Sequence, residues 1–246
     1  VFEKKSLFEI QNGGSLFLKG LILDGEESPD RTGNSVVTTS KYSMNQNYKL
    51  FIENCDFTNL DVNHSFDAIR VYKNTFADTI SIRNSKFKTI SGNVIALDKE
   101  TDDIGIYNAE YVIMENNIFS DIGGAALRLH RGGKDESTFG PFLEMEHNVL
   151  DNVGHDQRNK YNAGVSLYGV QEIDISDNIS AVSLLSIYLI YSAYFYTNIS
   201  TIDLFDFKID TSLLWYFTSF SKLVKVFLRW VSKSEASFLS LLFFIV

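Results

Sequence analysis

The chain has 246 residues, 45% of them apolar, which is ample for a buried core in one large or two small domains. Its 22 Lys plus Arg against 31 Asp plus Glu give a formal charge of −9 with no basic run, so nucleic acid is not expected as a partner, because neutralising phosphates needs a basic face. A single cysteine, Cys55, excludes an internal disulfide and any cysteine-rich metal cluster, leaving packing to hold the fold.

The first residues, VFEKKSLFEI, have neither the apolar stretch nor the cleavage pattern of a signal peptide, so the signal of an exported parent protein is expected upstream. From residue 16 a pattern begins that recurs down the chain: LFLKGLIL (16–23), LFIENCDF (50–57), ISIRNSKF (80–87), VIMENNIF (112–119), LEMEHNVL (143–150) and IDISDNIS (173–180). Aligned, these put Leu18, Ile52, Ile82, Met114, Met145 and Ile175 in one register, with gaps of 34, 30, 32, 31 and 30 residues. Such a period marks a solenoid. Two residues further on stand Gly20, Asn54, Asn84, Asn116, His147 and Asp177, and five further on Leu23, Phe57, Phe87, Phe119, Leu150 and Ser180. The alternation before the Asn is that of a strand with one buried face. Asn or Gly suits the corner that follows, since both tolerate the left-handed backbone, and Asn side chains stacked at strand spacing can hydrogen-bond along the axis.

Each repeat contains a second apolar strand: SVVTTS, DAIRVYKN, NVIALDKE, AALRLHRG and GVSLYGV. The connections after these vary, from TFADT to TDDIGIYNAEY and GKDESTFGPF. Regular strands with variable loops on one side are how a solenoid builds a ligand surface. The period is too long for a leucine-rich horseshoe and offers too few strands for a propeller blade. The expected fold is all-β, a right-handed parallel β-helix of about six coils spanning residues 1–180 and incomplete at both ends.

Near residue 180 the composition changes. All 15 glycines and both prolines lie before residue 170, and residues 181–246 are crowded with Leu, Ile, Phe, Tyr and Ser. The sixth coil fails at Ser180, where Phe or Leu is due, and no later residue resumes the register. The uncharged run from Ile179 to Ile202 is long enough to cross roughly 30 Å of hydrocarbon as a helix. A membrane helix starting inside an unfinished coil is hard to rationalise, however, so membrane contact is not expected. Residues 181–246 read instead as a hydrophobic tail of non-native appearance, the kind of sequence an A/T-rich gene yields in a shifted frame.

The runs FEIQNGGSLFLKGLILDG, NSVVTTSKYSM, LFIENCDFTNLDVNHSFDAIRV, ISGNVIALDKETDDIGIYNAEYV and RGGKDESTFGPFL resemble the carboxyl-terminal domain of two-domain bacterial alginate lyases of polysaccharide lyase family six, relatives of chondroitinase B. The resemblance covers residues 7–178, is most specific at DKETDDIGIYNAEYV and RGGKDESTFGP, and stops before the tail. It implies two β-helical halves, the amino-terminal one carrying a Lys base, an Arg and a calcium ion on the substrate carboxylate. The reaction implied is β-elimination, with a proton removed from C5 of a uronate and the 4-O-glycosidic bond broken. Such chemistry needs a base within hydrogen-bond reach of the proton and a cation at the carboxylate. No segment here matches the catalytic Lys and Arg motif, so no catalytic residue is carried over, and calcium is expected only in the other half.

Candidate contacts to an acidic sugar are Arg128, His130 and Arg131 in LRLHRGG, the densest basic cluster, with Arg128 and His130 alternating onto one strand face. The competing reading is a set of salt bridges to Asp98 and Glu100 in neighbouring coils. Asp98, Glu100, Asp102 and Asp103 lack the spacing of a calcium loop and read as a solvated turn, so no metal site is expected. His64, Arg70 and Tyr107 with Tyr111 are further candidates for lining the sugar-facing sheet, against the plainer roles of turn caps and corner fillers. The favoured function is a non-catalytic domain of a secreted or periplasmic alginate lyase, with the catalytic β-helix and the polyuronate as partners. The alternatives are a carbohydrate-binding or adhesin-type β-helix without lyase activity, and a self-sufficient lyase or glycosidase.

Overall fold

The computed structural model describes residues 6–30, 34–73, 75–97, 109–130, 141–159, 163–170, 172–181, 196–199 and 202–204. The described strands all belong to one compact unit, Val1–Ile209; a second, Asp210–Val246, lies outside the described residues, as does most of the apolar tail. Three strands make each coil. The first coil is β1 (Phe8–Ile10), β2 (Leu16–Lys19) and β3 (Ile22–Asp24), and the second is β4 (Ser35–Thr39), β5 (Tyr48–Glu53) and β6 (Asp56–Leu60). Then come β7 (Asp67–Val71), β8 (Ala77–Arg83) and β9 (Lys86–Ile90); β10 (Ile95–Leu97), β11 (Ala109–Glu115) and β12 (Ile118–Ile122); and β13 (Leu127–His130), β14 (Phe142–Glu146) and β15 (Val149–Val153). The sixth coil is β16 (Val165–Tyr168), β17 (Glu172–Ser176) and β18 (Asn178–Ala181). Equivalent strands of successive coils pair in parallel, giving three sheets led by β1, β2 and β3. There is no helix among the described residues.

The register is the one the repeat predicts. Leu18 pairs with Ile52, Ile52 with Ile82, Ile82 with Met114, Met114 with Met145 and Met145 with Ile175 in the second sheet. In the third sheet Leu23, Phe57, Phe87, Phe119, Leu150 and Ser180 form the matching column. Its phenyl rings stack inside the coil, Phe57 on Phe87 at 4.8 Å and Phe87 on Phe119 at 5.4 Å between centroids. Each repeated segment is thus two strands rather than one, bent at Gly20, Asn54, Asn84, Asn116, His147 and Asp177, all with φ between +51° and +67°. Gly, Asn, Asp and His are the residues that enter that region at least cost, and they are the ones found at these corners.

The axial ladder sits one residue later than the sequence suggests. The corner asparagines Asn54, Asn84 and Asn116 point to solvent, and the residue after each corner turns inward: Cys55, Ser85, Asn117, Asn148 and Asn178, all buried. Asn117 Nδ2 donates to Asn148 Oδ1 at 3.0 Å, and Asn148 Nδ2 donates to Asn178 Oδ1 at 2.9 Å. The same carbonyl oxygens accept the backbone N–H of the residue one coil earlier, at 3.0 Å for Asn117 and 2.8 Å for Asn148. Ser85 Oγ continues the column with a bond from the Cys55 N–H.

A second correction concerns the far end. Strands β19 (Tyr196–Ile199) and β20 (Ile202–Leu204) extend the second and third sheets by pairing with β17 and β18, so the register does resume after Ser180. Ile199 falls opposite Ile175 and Leu204 opposite Ser180. This turn returns after 24 residues, shorter than any earlier one, which is why a search at fixed period passes over it. The uncharged run from Ile179 to Ile202 therefore begins and ends in strand, and no described helix is long and apolar enough to cross a membrane.

Candidate functional site

Two surfaces collect the chemistry. One is the outer face of the sheet led by β1. On β7, β10, β13 and β16 the residues Ile69, Ile95, Leu127 and Val165 face the core, as do Val71, Leu97, Leu129 and Leu167. The residues between them stand on the opposite side by strand alternation. They form the column Thr38, Arg70, Ala96, Arg128 and Ser166, of which Thr38, Ala96 and Ser166 are buried and the two arginines are half-buried. Arg70 and Arg128 are two strands apart, or about 10 Å at strand spacings of ~4.8 Å. Arg70 Nη1 donates to Asp67 Oδ2 at 2.7 Å, and its guanidinium lies 5.5 Å from the centre of the Tyr72 ring, which Lys41 also approaches to 5.7 Å. Buried Asp67 in turn accepts both the backbone and side-chain N–H of Asn93, so Arg70 neutralises a carboxylate the loop needs for its own folding.

His130 shares this face with Arg128, as the alternation predicts, but it is only 7% exposed. Its Nε2 is 2.9 Å from Ser166 Oγ, and its ring tilts against Tyr168. Arg131 and Tyr107 lie outside the described residues, as do Asp98 and Glu100 with the salt bridges expected to them, and Asp102 and Asp103. Tyr111 is not on this face: it is on β11 in the next sheet, stacked on Phe142 at 5.2 Å. Ser166, Tyr72 and Tyr168 escaped sequence reasoning, although aligning GVSLYGV beneath AALRLHRG places Ser166 under Arg128.

The neighbouring sheet is different in kind. Its outer columns carry Glu144 beside Asp174 and Glu115 beside Glu146. Partial burial first, and then the charge of Glu146, raise the Glu144 carboxyl above its usual range. The same face also carries Lys19 and Arg83, paired with Glu53 and Glu115, so both signs of charge alternate along it.

His64 sits apart from the arginines, in the second candidate surface, an open groove of about 530 Å³ beside the sheet led by β3. One wall is the loop after β6, bearing Asp61, Asn63 and His64; the other is the loop after β15, bearing His155 and Arg158. Ser91 joins the two: its Oγ accepts from the Phe66 N–H at 3.0 Å, and its carbonyl accepts from Asn159 Nδ2 at 3.0 Å. The second wall reaches back across a coil through the Asp156 N–H on the Gly123 carbonyl at 3.0 Å. It starts at Gly154, whose φ of +79° and 2.8 Å approach to the Ala163 backbone leave no room for a side chain. The floor includes Thr89, Asp121 and Asn152, at φ of +56°, +54° and +52°. Asn and Asp tolerate that region, whereas a β-branched Thr is held there against a strain of about 1–2 kcal/mol.

The Asp156–Arg158 pair fixes the second wall, with Arg158 Nη2 at 2.7 Å and Nε at 3.0 and 3.1 Å from the carboxylate oxygens. Bonds from the Arg158 side chain, then from its backbone N–H, hold the Asp156 carboxyl down at about 2. A depressed carboxylate contributes above its ordinary pKa of roughly 4 and is lost as the pH falls through the folded value. Carbon-13 titration of Asp156 should therefore show a midpoint near 2, and Arg158→Ala should raise it toward the ordinary carboxylate value without reaching it, because the bond from the residue 158 backbone N–H remains; an unchanged midpoint would mean that the pair does not form in solution.

No family model matches the chain, and no curated protein does. Among solved structures, the PL6 family alginate lyase AlyGC superposes with a TM-score of 0.72 at 36% identity, over 83% of this chain and 30% of that one. An arginine-to-alanine mutant of AlyGC gives 0.71 at 34% identity, over 83% and 31%. The coils are thus a right-handed parallel β-helix of the polysaccharide lyase type. More narrowly, the chain carries a β-helix domain of the PL6 alginate lyase family, spanning about 30% of the length of the relative it matches.

The calcium ion that the family implies does not fit what is described here. No group of three or more His, Cys, Asp or Glu side chains among the described residues is placed to hold a metal, so no step is routed through one.

Proposed function

We propose that this domain holds the polyuronate chain of an exported alginate lyase along the outer face of its first sheet, while the reacting groups come from another part of the parent protein. The observation that carries this reading is the column in which Arg70 and Arg128 repeat about 10 Å apart along the solenoid axis. A 1,4-linked uronate advances by about one strand spacing per ring, so alternate carboxylates of a chain lying parallel to the axis meet successive guanidiniums. A guanidinium carries its N–H donors in a planar fork that matches a carboxylate. The similarity to an alginate lyase supports the substrate class.

In calorimetry on the full chain, Arg128→Ala should weaken an alginate hexasaccharide about tenfold, and the loss should shrink with added salt. Arg128 is the better single test, because Arg70→Ala also leaves Asp67 buried without its cation. Unchanged affinity in Arg128→Ala would remove the reading. No unsaturated product is expected from this chain alone; its appearance in ultraviolet absorbance would return catalysis to this domain. Alginate binding by a parent protein that never cleaves would favour the adhesin-type alternative.

A further inference from the structure

We propose that the groove between the loops after β6 and β15 is a second glycan site, selective for neutral sugars and separate from the polyuronate face. Its construction sets it apart from a chance depression. Segments about 90 residues apart meet at Ser91, one through the Phe66 N–H and the other through Asn159 Nδ2, and the second wall is clamped by the Asp156–Arg158 pair. Its volume of about 530 Å³ is within the range of small-ligand sites.

Charge decides the ligand class. Asp61 and Asp121 line the groove, and Arg158, the one Lys or Arg among its described lining residues, is matched by Asp156 through three bonds of 3.1 Å or less. With Arg158 engaged by Asp156, the carboxylates of Asp61 and Asp121 leave the groove with negative charge that repels a uronate carboxylate. What it offers in quantity is adjacent acceptors and donors. Asn152 Nδ2 donates to Asp121 Oδ1 at 2.9 Å, forming a carboxylate and amide pair whose chemistry suits neighbouring hydroxyls of one ring. No Phe, Tyr or Trp is among the described residues lining the groove, which favours recognition by the hydroxyl edge of the sugar over its face. Thr89 supplies the independent sign. Equivalent described positions in other coils are Asn59, Asp121 and Asn152, which accept positive φ, and among the described residues of the column at positive φ the β-branched one, Thr89, stands on the groove floor. Strain retained at one such position is a mark of use.

The test titrates the full chain by calorimetry with cellohexaose, mannohexaose, xylohexaose and galactohexaose, alongside an alginate hexasaccharide. At least one neutral probe should saturate a single site, and Asp121→Ala should weaken it tenfold or more without changing alginate affinity. Thr89→Asn should raise Tm by about 2–4 °C by relieving the backbone and should weaken the neutral probe, a combination that simple loss of folding cannot produce. The idea is overturned if no neutral probe saturates, if Asp121→Ala binds like the parent chain, or if the alginate hexasaccharide displaces the neutral one. Failure of alginate to bind at all would sink the polyuronate reading and leave this one standing.

Discussion

Replacing Asn148 by Ala is expected to destabilise the domain by about 4 kcal/mol in chemical denaturation, whereas Asn116→Ala should cost only about 1 kcal/mol. The side chain of Asn148 is fully buried and bonded on every side. Its Nδ2 reaches the Met114 carbonyl at 2.8 Å, the Glu146 carbonyl at 2.9 Å and Asn178 Oδ1 at 2.9 Å, and its Oδ1 accepts both N–H groups of Asn117. Truncation strands several buried polar groups at once, each costing about 1–3 kcal/mol where no water can reach, with some relief from relaxation. Asn116 is exposed and contributes chiefly its tolerance of φ +56°. Equal losses for the two variants would show that the inner ladder does not hold the coils in register.

Phe87→Ala should cost a similar amount, about 4 kcal/mol, through lost transfer energy and the cavity left in the stack. Phe87 is 0% exposed between Phe57 and Phe119, and no other side chain of that column can expand into its place without leaving its own coil. The comparison is Phe51→Ala. Phe51 stacks on Phe17 at 5.0 Å with nearly parallel rings, so the pair geometry is the same, yet Phe17 is 65% exposed and the pair stands on the outer face. About 1 kcal/mol is expected there. If both substitutions cost the same, ring stacking and not burial carries the stability of the column. A second consequence links stability to function: the inner columns set the spacing of strands β7 to β13, and with it the separation of Arg70 and Arg128 on the outer face.

Much of this molecule is legible in its residues. Side-chain alternation and tolerance of positive φ are local properties, and repetition every 30 to 34 residues amplifies them, so the columns of Ile52 and of Phe57 and the left-handed corners follow from alignment alone. The common face of Arg128 and His130 follows from the same alternation. Only the folded chain decides which of two adjacent asparagines, Asn116 or Asn117, enters the interior, because that depends on how the backbone leaves the bend and on partners a full coil away. Convergence is equally invisible in one dimension: the loops carrying His64 and His155 share no motif, and they meet because Ser91 offers a hydroxyl to one and a carbonyl to the other. The short return to β19 and β20 belongs with these, since parallel pairing rests on backbone N–H and C=O groups that every residue carries and no side-chain pattern announces.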